Sequence, residues 1–311
     1  MKLAFVFPGQ GSQAVGMLQG YAGLAGVDEV RAEAQATLGA EFLRVLDEGP
    51  ADALALTVNT QPAMVTAGIA AFRAWTALGG AAPSVVAGHS LGEYTALVAA
   101  GALTLEACLP LVRVRAEAMQ QAVPEGVGAM AAIMSLDDDA VRAACADAGQ
   151  GEVVQAVNFN APGQVVIAGH KAAVERAIAA CKARGAKRAM VLPVSAPFHS
   201  SLMQPAAERL REALGRVPIA PPQIDLINNV DVAVQRSPDA VKDALVRQAA
   251  SPVRWAETVR AMAQRGVTHI VECGPGKVLA GLVKRIVPDV QGVALADGAS
   301  LEQALAAMRE A

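Results

Sequence analysis

The sequence is poor in the residues that build covalent or metal-held scaffolds. Its 311 residues include four cysteines, Cys108, Cys145, Cys181 and Cys273, each isolated from the others. No CxxC or HExxH string occurs, so neither a disulfide framework nor a zinc site is expected, and no metal is assigned. Charged residues are only 18% and the net charge is -3, without the basic excess that marks a nucleic-acid binder. Long hydrophobic runs are absent. The apolar run 3–7 near the N-terminus is stopped by Pro8-Gly9, too short for a signal peptide or a membrane span. Repeats, charge blocks and low-complexity linkers are also missing. What is present is 53% hydrophobic residues, a composition that folds rather than stays disordered. The expectation is a cytoplasmic globular protein of one large domain or two unequal ones.

Short apolar runs alternate with longer helical stretches. Residues 3–7 and 84–88 read as buried strands, each ending at a turn. Helices are expected at about 28–47, 60–78, 91–100 and 104–123. Gly101 suits a left-handed helix stop. The rhythm then changes. Strand 129–134 precedes a helix capped by Asp137. Strands 153–157 and 164–168 are joined by the turn-forming string 158–163. A helix at 171–184 and a strand at 188–194 complete a β-α-β-β-α-β order, the ferredoxin-like pattern. After it come helices near 199–215, 238–249 and 252–265, and strands at 224–228, 269–272 and 292–296. The expected fold is α/β: a hydrolase-like, mostly parallel sheet covered by helices, with a small ferredoxin-like α+β domain inserted. The domains are drawn at 1–126 plus 196–311, and 127–195.

The strongest single motif is Gly88-His89-Ser90-Leu91-Gly92, which fits G-x-S-x-G between an apolar strand and a helix. That context lifts the Ser90 hydroxyl above the carboxyl end of the sheet. The helix N-terminus beneath it favours a developing oxyanion, with the Leu91 N–H as first donor. A serine nucleophile needs a base. His89 adjoins Ser90, so its side chain is expected to point away and pack. His170 and His269 sit at element ends and read as structural. His199, in a loop at the head of a helix, is the candidate that remains. No acid partner emerges. Asp137, Asp138, Asp139 and Asp147 lie between serine and histidine, but the first three read as a helix start. This counts against an ordinary esterase. On the residues alone, Arg113 and Arg115 are equal candidates for binding an anionic substrate.

Taken together, Phe5 to Gln13, Asn59-Thr60-Gln61-Pro62-Ala63, Gly88 to Tyr94 and Asn158 to Gln164 resemble the malonyl-CoA:acyl carrier protein transacylases. So do Ala196-Pro197-Phe198-His199-Ser200, Val230-Asp231 and Gly274 to Leu279. The strings run in the family order from residue 3 to about 285. The resemblance implies ping-pong transfer of malonyl from malonyl-CoA to the phosphopantetheine thiol of holo acyl carrier protein, supplying fatty acid biosynthesis. It implies Ser90 as nucleophile and His199 as base, with the backbone carbonyl of Gln248 orienting the histidine in place of an acid. Gln10 and Leu91 match the oxyanion-hole donors. Arg115 matches the residue that holds the malonyl carboxylate, a task suited to a planar, permanently charged fork. Met119 is expected to line the same pocket. Leu91 and Phe198 flank the reacting groups, where bulk crowds an α-methyl branch and favours malonyl. Ala249-Ala250-Ser251 departs from a segment that often carries an aromatic and an asparagine, which weakens the match at Gln248.

No bound cofactor is expected, only malonyl-CoA as substrate. The carrier protein is typically acidic, so Lys182, Arg184, Lys187 and Arg188, or Lys284 and Arg285, are candidate docking clusters, with a solvated helix end as the plain alternative. A monomer is the default. Two other functions compete: a free-standing acyltransferase for a polyketide or polyunsaturated fatty acid synthase, and a serine hydrolase that releases malonate. A non-catalytic malonyl-CoA-binding module is the remaining reading. Cys273, before the Gly-Pro-Gly turn, reads as a buried core thiol.

Overall fold

The computed structural model of the protein describes residues 1–194 and 196–310. Ser195, the last residue of the expected insertion, and Ala311 lie outside the described residues.

Nine strands form two sheets among the described residues. They are β1 (Leu3–Phe7), β2 (Val85–Gly88), β3 (Gly128–Met134), β4 (Val154–Ala161), β5 (Gln164–His170), β6 (Arg188–Val191), β7 (Asp225–Leu226), β8 (His269–Cys273) and β9 (Gln291–Leu295). The larger sheet has the order β7-β2-β1-β8-β9 and is parallel throughout. Its central strands are apolar because both faces are covered. Alternation still sorts the side chains. Phe5, Phe7, Val86 and Val271 enter one core, beneath the Thr57–Ala77 and Leu105–Gln121 helices. Ala4, Val6, Val85 and Ile270 enter the other, beneath Trp255–Gln264 and Val278–Ile286.

The smaller sheet has the order β4-β5-β3-β6 and is antiparallel throughout. Helices Asp138–Gly149 and Lys171–Ala183 cover one face, where Ile133, Val165 and Ile167 pack with Val141 and Val174. The opposite face presents Met130, Val157, Val166 and Ala168 to Leu192, Val194 and Phe198. That second face roofs a cleft whose floor is the carboxyl end of β1 and β2. Ligands in open parallel sheets bind at this end, where connections leave in opposite directions.

Several sequence-based boundaries move. The expected helix 28–47 is two helices, Val27–Leu38 and Ala40–Glu48, broken at Gly39, whose φ of 88° no helical residue adopts. The string 158–163 is not a turn. β4 continues through Ala161, and only Pro162-Gly163 turns. Register shifts after Ala156 and Phe159 let the strand bend, and Val253 takes up its free edge through Phe159 N–H to Val253 O at 2.9 Å. β6 stops at Val191 and β7 holds two residues, both shorter than their apolar runs. The helix expected from 199 begins at Gln204, after a single tight turn, and the one expected from 252 begins at Trp255. Asp137 and Thr104 do cap their helices, accepting from Ala140 N and Ala107 N.

The elbow between β2 and the Gly92–Ala99 helix tolerates no side chain at its flanks. A Cβ on Gly88 meets the Gly92 carbonyl carbon at 1.8 Å, and one on Gly92 meets Phe7 O at 2.0 Å. Both obstacles are backbone and cannot rotate aside. Gly88→Ala is therefore expected to cost at least about 3 kcal/mol, read as a large drop in the melting temperature.

Candidate active site

Ser90 stands on that elbow with φ 52°, a left-handed backbone rare for a residue with a Cβ. Asn229 holds the turn in place. Its Oδ1 accepts from Ser90 N at 2.8 Å and its Nδ2 donates to Gly88 O at 2.7 Å. The Ser90 hydroxyl lies 2.6 Å from His199 Nε2, although 109 residues separate them. The other ring nitrogen, Nδ1, faces the backbone carbonyl of Gln248 at 2.9 Å. A carbonyl only accepts, so Nδ1 carries the proton and Nε2 offers its lone pair to the serine. No acid is needed to fix that tautomer. Asp137 caps a helix and Asp147 pairs with Arg184, so neither serves the histidine.

His199 is 4% exposed. Burial and the neighbouring Arg115 cation push its pKa down to about 3, so the imidazole stays a neutral base over the whole ordinary pH range. His89 turns the other way, as expected. Its Nε2 pairs with Asn160 Oδ1 at 2.8 Å and its ring lies 5.5 Å from that of Trp255. His170 accepts from Val153 N through Nδ1, and His269 pairs with Thr268.

The structure separates the two arginines that the sequence leaves equal. Arg113 stacks on Phe42, away from the cleft. Arg115 is 2% exposed and enters the cleft beside Ser90. Its Nη1 donates to Gln61 Oε1 at 2.8 Å, and its Nη2 to Ser90 Oγ at 3.0 Å and Gln248 Oε1 at 3.1 Å. Tyr94 lies under the guanidinium at 5.4 Å. A chain of neutral groups runs on from Gln61 through Thr57 to the Gln10 side chain.

The cleft has a volume of about 260 Å³. Gln10 and Leu91 line it together with Ser90, Gln10 from the loop after β1 and Leu91 from the helix start. Met119 and Phe198 line it as well and pack in one apolar cluster with Met203. The structure thus brings together Ser90, His199, Gln248, Arg115, Gln10, Leu91, Met119 and Phe198. Arg285, from one basic cluster, reaches the rim and donates to Gln164 Oε1 at 2.6 Å. Lys182, Lys187 and Arg188 are exposed. Cys273 is fully buried, and burial raises its thiol pKa well above the usual range.

Sequence reasoning missed four residues that hold the site: Gln61, Glu93, Asn229 and the side chain of Gln248. The available signal was weak. Glu93 sits in the first turn after the serine, where a carboxylate normally faces solvent, yet it is 2% exposed. No group of three or more His, Cys, Asp or Glu able to hold a metal occurs among the described residues. None of their helices is long and apolar enough to cross a membrane.

A parallel sheet with a serine elbow, a histidine on the serine and an arginine in the same cleft defines a protein of the acyl-transfer class. The acyl transferase domain model matches residues 4–303. The chain belongs to the malonyl CoA-acyl carrier protein transacylase family. It is 53% identical to the Escherichia coli K12 malonyl CoA-acyl carrier protein transacylase, over 98% of this chain and 99% of that one. The Bacillus subtilis 168 relative of the same name is 43% identical over 99% and 98%. Among solved structures, an acyl-carrier-protein S-malonyltransferase from Burkholderia pseudomallei 1710b superposes with a TM-score of 0.96. It is 61% identical, over 98% of this chain and 100% of that one. A malonyl-transacylase in complex with a type II polyketide acyl-carrier protein superposes with a TM-score of 0.96, at 49% identity over 99% and 100%.

Proposed function

We propose that the protein transfers malonyl from malonyl-CoA to the phosphopantetheine thiol of acyl carrier protein through a malonyl-Ser90 intermediate, supplying fatty acid biosynthesis. One observation carries the site assignment: Ser90 Oγ lies between a neutral His199 Nε2 at 2.6 Å and the Arg115 fork at 3.0 Å. The activity rests on full-length relatives that bear this name.

Malonyl-CoA enters the cleft with its free carboxylate on Arg115. Ser90 Oγ attacks the thioester carbonyl and its proton passes to His199 Nε2. The oxyanion rests on the N–H groups of Leu91 and Gln10. As the tetrahedral adduct collapses, the carbon–sulfur bond breaks and the coenzyme A thiolate takes the proton from His199. The carrier thiol then loses its proton to His199 and attacks the malonyl ester. The Ser90 alkoxide leaves and is reprotonated. Met119 and Phe198 keep water from the ester, and Leu91 and Phe198 crowd an α-methyl branch. The mechanism calls on no metal or bound cofactor.

The small sheet and its two helices are read as a ferredoxin-like domain spanning 127–195, inserted between 1–126 and 196–311. The strand order β4-β5-β3-β6 supports that reading. The protein is assigned to the cytoplasm as a monomer.

Intact-mass spectrometry with malonyl-CoA, followed by holo carrier protein, tests the reaction. A malonyl adduct that passes to the carrier supports it. An adduct that decays to malonate whether or not carrier is present turns the assignment to a hydrolase. The depressed His199 pKa makes a second prediction, best read with acetyl-CoA, which carries no carboxylate. Acetylation of Ser90 is expected to stay level from pH 8 to pH 5. An exposed imidazole, with a pKa of about 6.5, loses most of its base form over that interval. A half-maximal rate near pH 6.5 overturns the assignment of His199 as a buried neutral base.

A further inference from the structure

Arg115 is buried, yet the partners that hold it are neutral: Gln61, Ser90 and Gln248. Besides the Tyr94 phenol beneath it, the acid whose charge it feels is the Glu93 carboxyl, one amide away. Gln248 is that amide and is fully buried. Its Nε2 donates to Glu93 Oε2 and to Ser90 O, each at 2.9 Å, while its Oε1 accepts from Arg115 Nη2 at 3.1 Å. Glu93 is anchored in turn, because the same Oε2 accepts from Asn229 N at 2.9 Å.

We propose that Glu93 is a positioning residue for malonyl selectivity: its carboxylate locks the Gln248 amide with the oxygen toward Arg115, which aims the guanidinium at the substrate carboxylate. The inference rests on the transfer reaction above. The physical reason is that an amide has a donor end and an acceptor end, whereas an ionised carboxylate only accepts. With Glu93 and the Ser90 carbonyl on one side, Nε2 has to face them and Oε1 has to face Arg115. The reversed amide sets oxygen against carboxylate and N–H against guanidinium, two unsatisfied pairings among buried groups. Glutamine at position 93 offers both ends, so it replaces the charged one of the two acceptors that hold Nε2, leaves Ser90 O as the other, and weakens the lock while keeping the shape. Malonyl needs the fork in place. Acetyl, with no carboxylate, does not.

Protonation weakens the same lock, because a carboxylic acid gains an O–H donor. Burial raises the Glu93 pKa to about 7, against the opposing pull of Gln248, Asn229 and Arg115. The groups facing it are Arg115 from the Leu105–Gln121 helix, Gln248 from Pro238–Ala249, Asn229 and Asp231 from the loop after β7, and Tyr94 beside it.

The test is the ratio of kcat/KM for malonyl-CoA over acetyl-CoA, in full-length wild type, Glu93→Gln, Arg115→Ala and the double variant. Wild type is first checked by mass spectrometry for a malonyl adduct on Ser90. Its absence overturns the underlying reaction and the proposal with it. With the adduct present, Glu93→Gln is expected to lower the ratio about tenfold, the size of one charge-assisted hydrogen bond. In the Arg115→Ala background it is expected to change nothing further. In wild type the ratio falls as pH drops through about 7, and in Glu93→Gln it stays flat. An unchanged ratio in folded Glu93→Gln, or an equal fall in the Arg115→Ala background, overturns the role of Glu93 and leaves the reaction standing. If Glu93→Gln does not fold, Gln248→Met removes the bridging amide but keeps the backbone carbonyl on His199, and the same ratio decides.

Discussion

Ser90→Ala is expected to leave no acyl-enzyme at all and to reduce malonyl transfer by on the order of 10⁴-fold or more. The substitution removes the atom that lies within hydrogen-bond reach of both His199 Nε2 and Arg115 Nη2. The residual rate comes from substrate binding and the oxyanion donors, which keep their places because the elbow is held by Asn229 through backbone groups. Malonyl-CoA is therefore expected to bind Ser90→Ala about as tightly as wild type. The measurement is intact mass for the adduct and rapid quench for transfer to carrier protein. A full malonyl adduct on the variant removes Ser90 as nucleophile.

Arg115→Ala is expected to lower malonyl transfer by roughly 10²- to 10³-fold, while acetyl transfer falls by less than about tenfold. A guanidinium fork on a carboxylate makes two charge-assisted hydrogen bonds, each worth about 1.5–3 kcal/mol, and solvent in the vacated space recovers part of that loss. Acetyl keeps most of its rate because it uses only Ser90, His199 and the oxyanion donors. The same variant also removes the cation that helps hold the His199 pKa near 3. The sign is upward: with less repulsion the imidazolium is easier to form, so the acid limb of acetylation moves to higher pH. Comparing kcat/KM for the two acyl donors across pH reads both effects. Equal losses for malonyl and acetyl remove Arg115 as the carboxylate anchor.

How much of the site was legible depends on the range of the interaction behind each residue. Ser90 was legible because the serine elbow is local: one apolar strand, two glycines and one helix start within a few residues. Asp137 was legible as a cap for the same reason. Arg115 could be told from Arg113 only by family resemblance, since the two lie on one helix and differ in which way they face. Glu93 belongs to the same local string, but nothing local to the string assigns it a task. Its burial depends on Asn229 and Gln248, which arrive from more than a hundred residues away. The turn read at 158–163 failed for a related reason. Asn, Pro and Gly favour turns by local chemistry, but here β5 and Val253 supply strand partners that outweigh it.

The sequence by itself determined the alternation of buried strands and helices, the two-sheet division and the serine elbow. These follow from hydrophobic period, glycine placement and composition, which act over a few residues. The family resemblance implied, and the tertiary structure displays, His199 on a backbone carbonyl and Arg115 at the serine, whereas only the tertiary structure decided that a buried glutamate stands behind both through one glutamine. Each is a contact between distant segments, fixed by how the sheets and helices pack and by the cost of leaving a buried polar group without a partner.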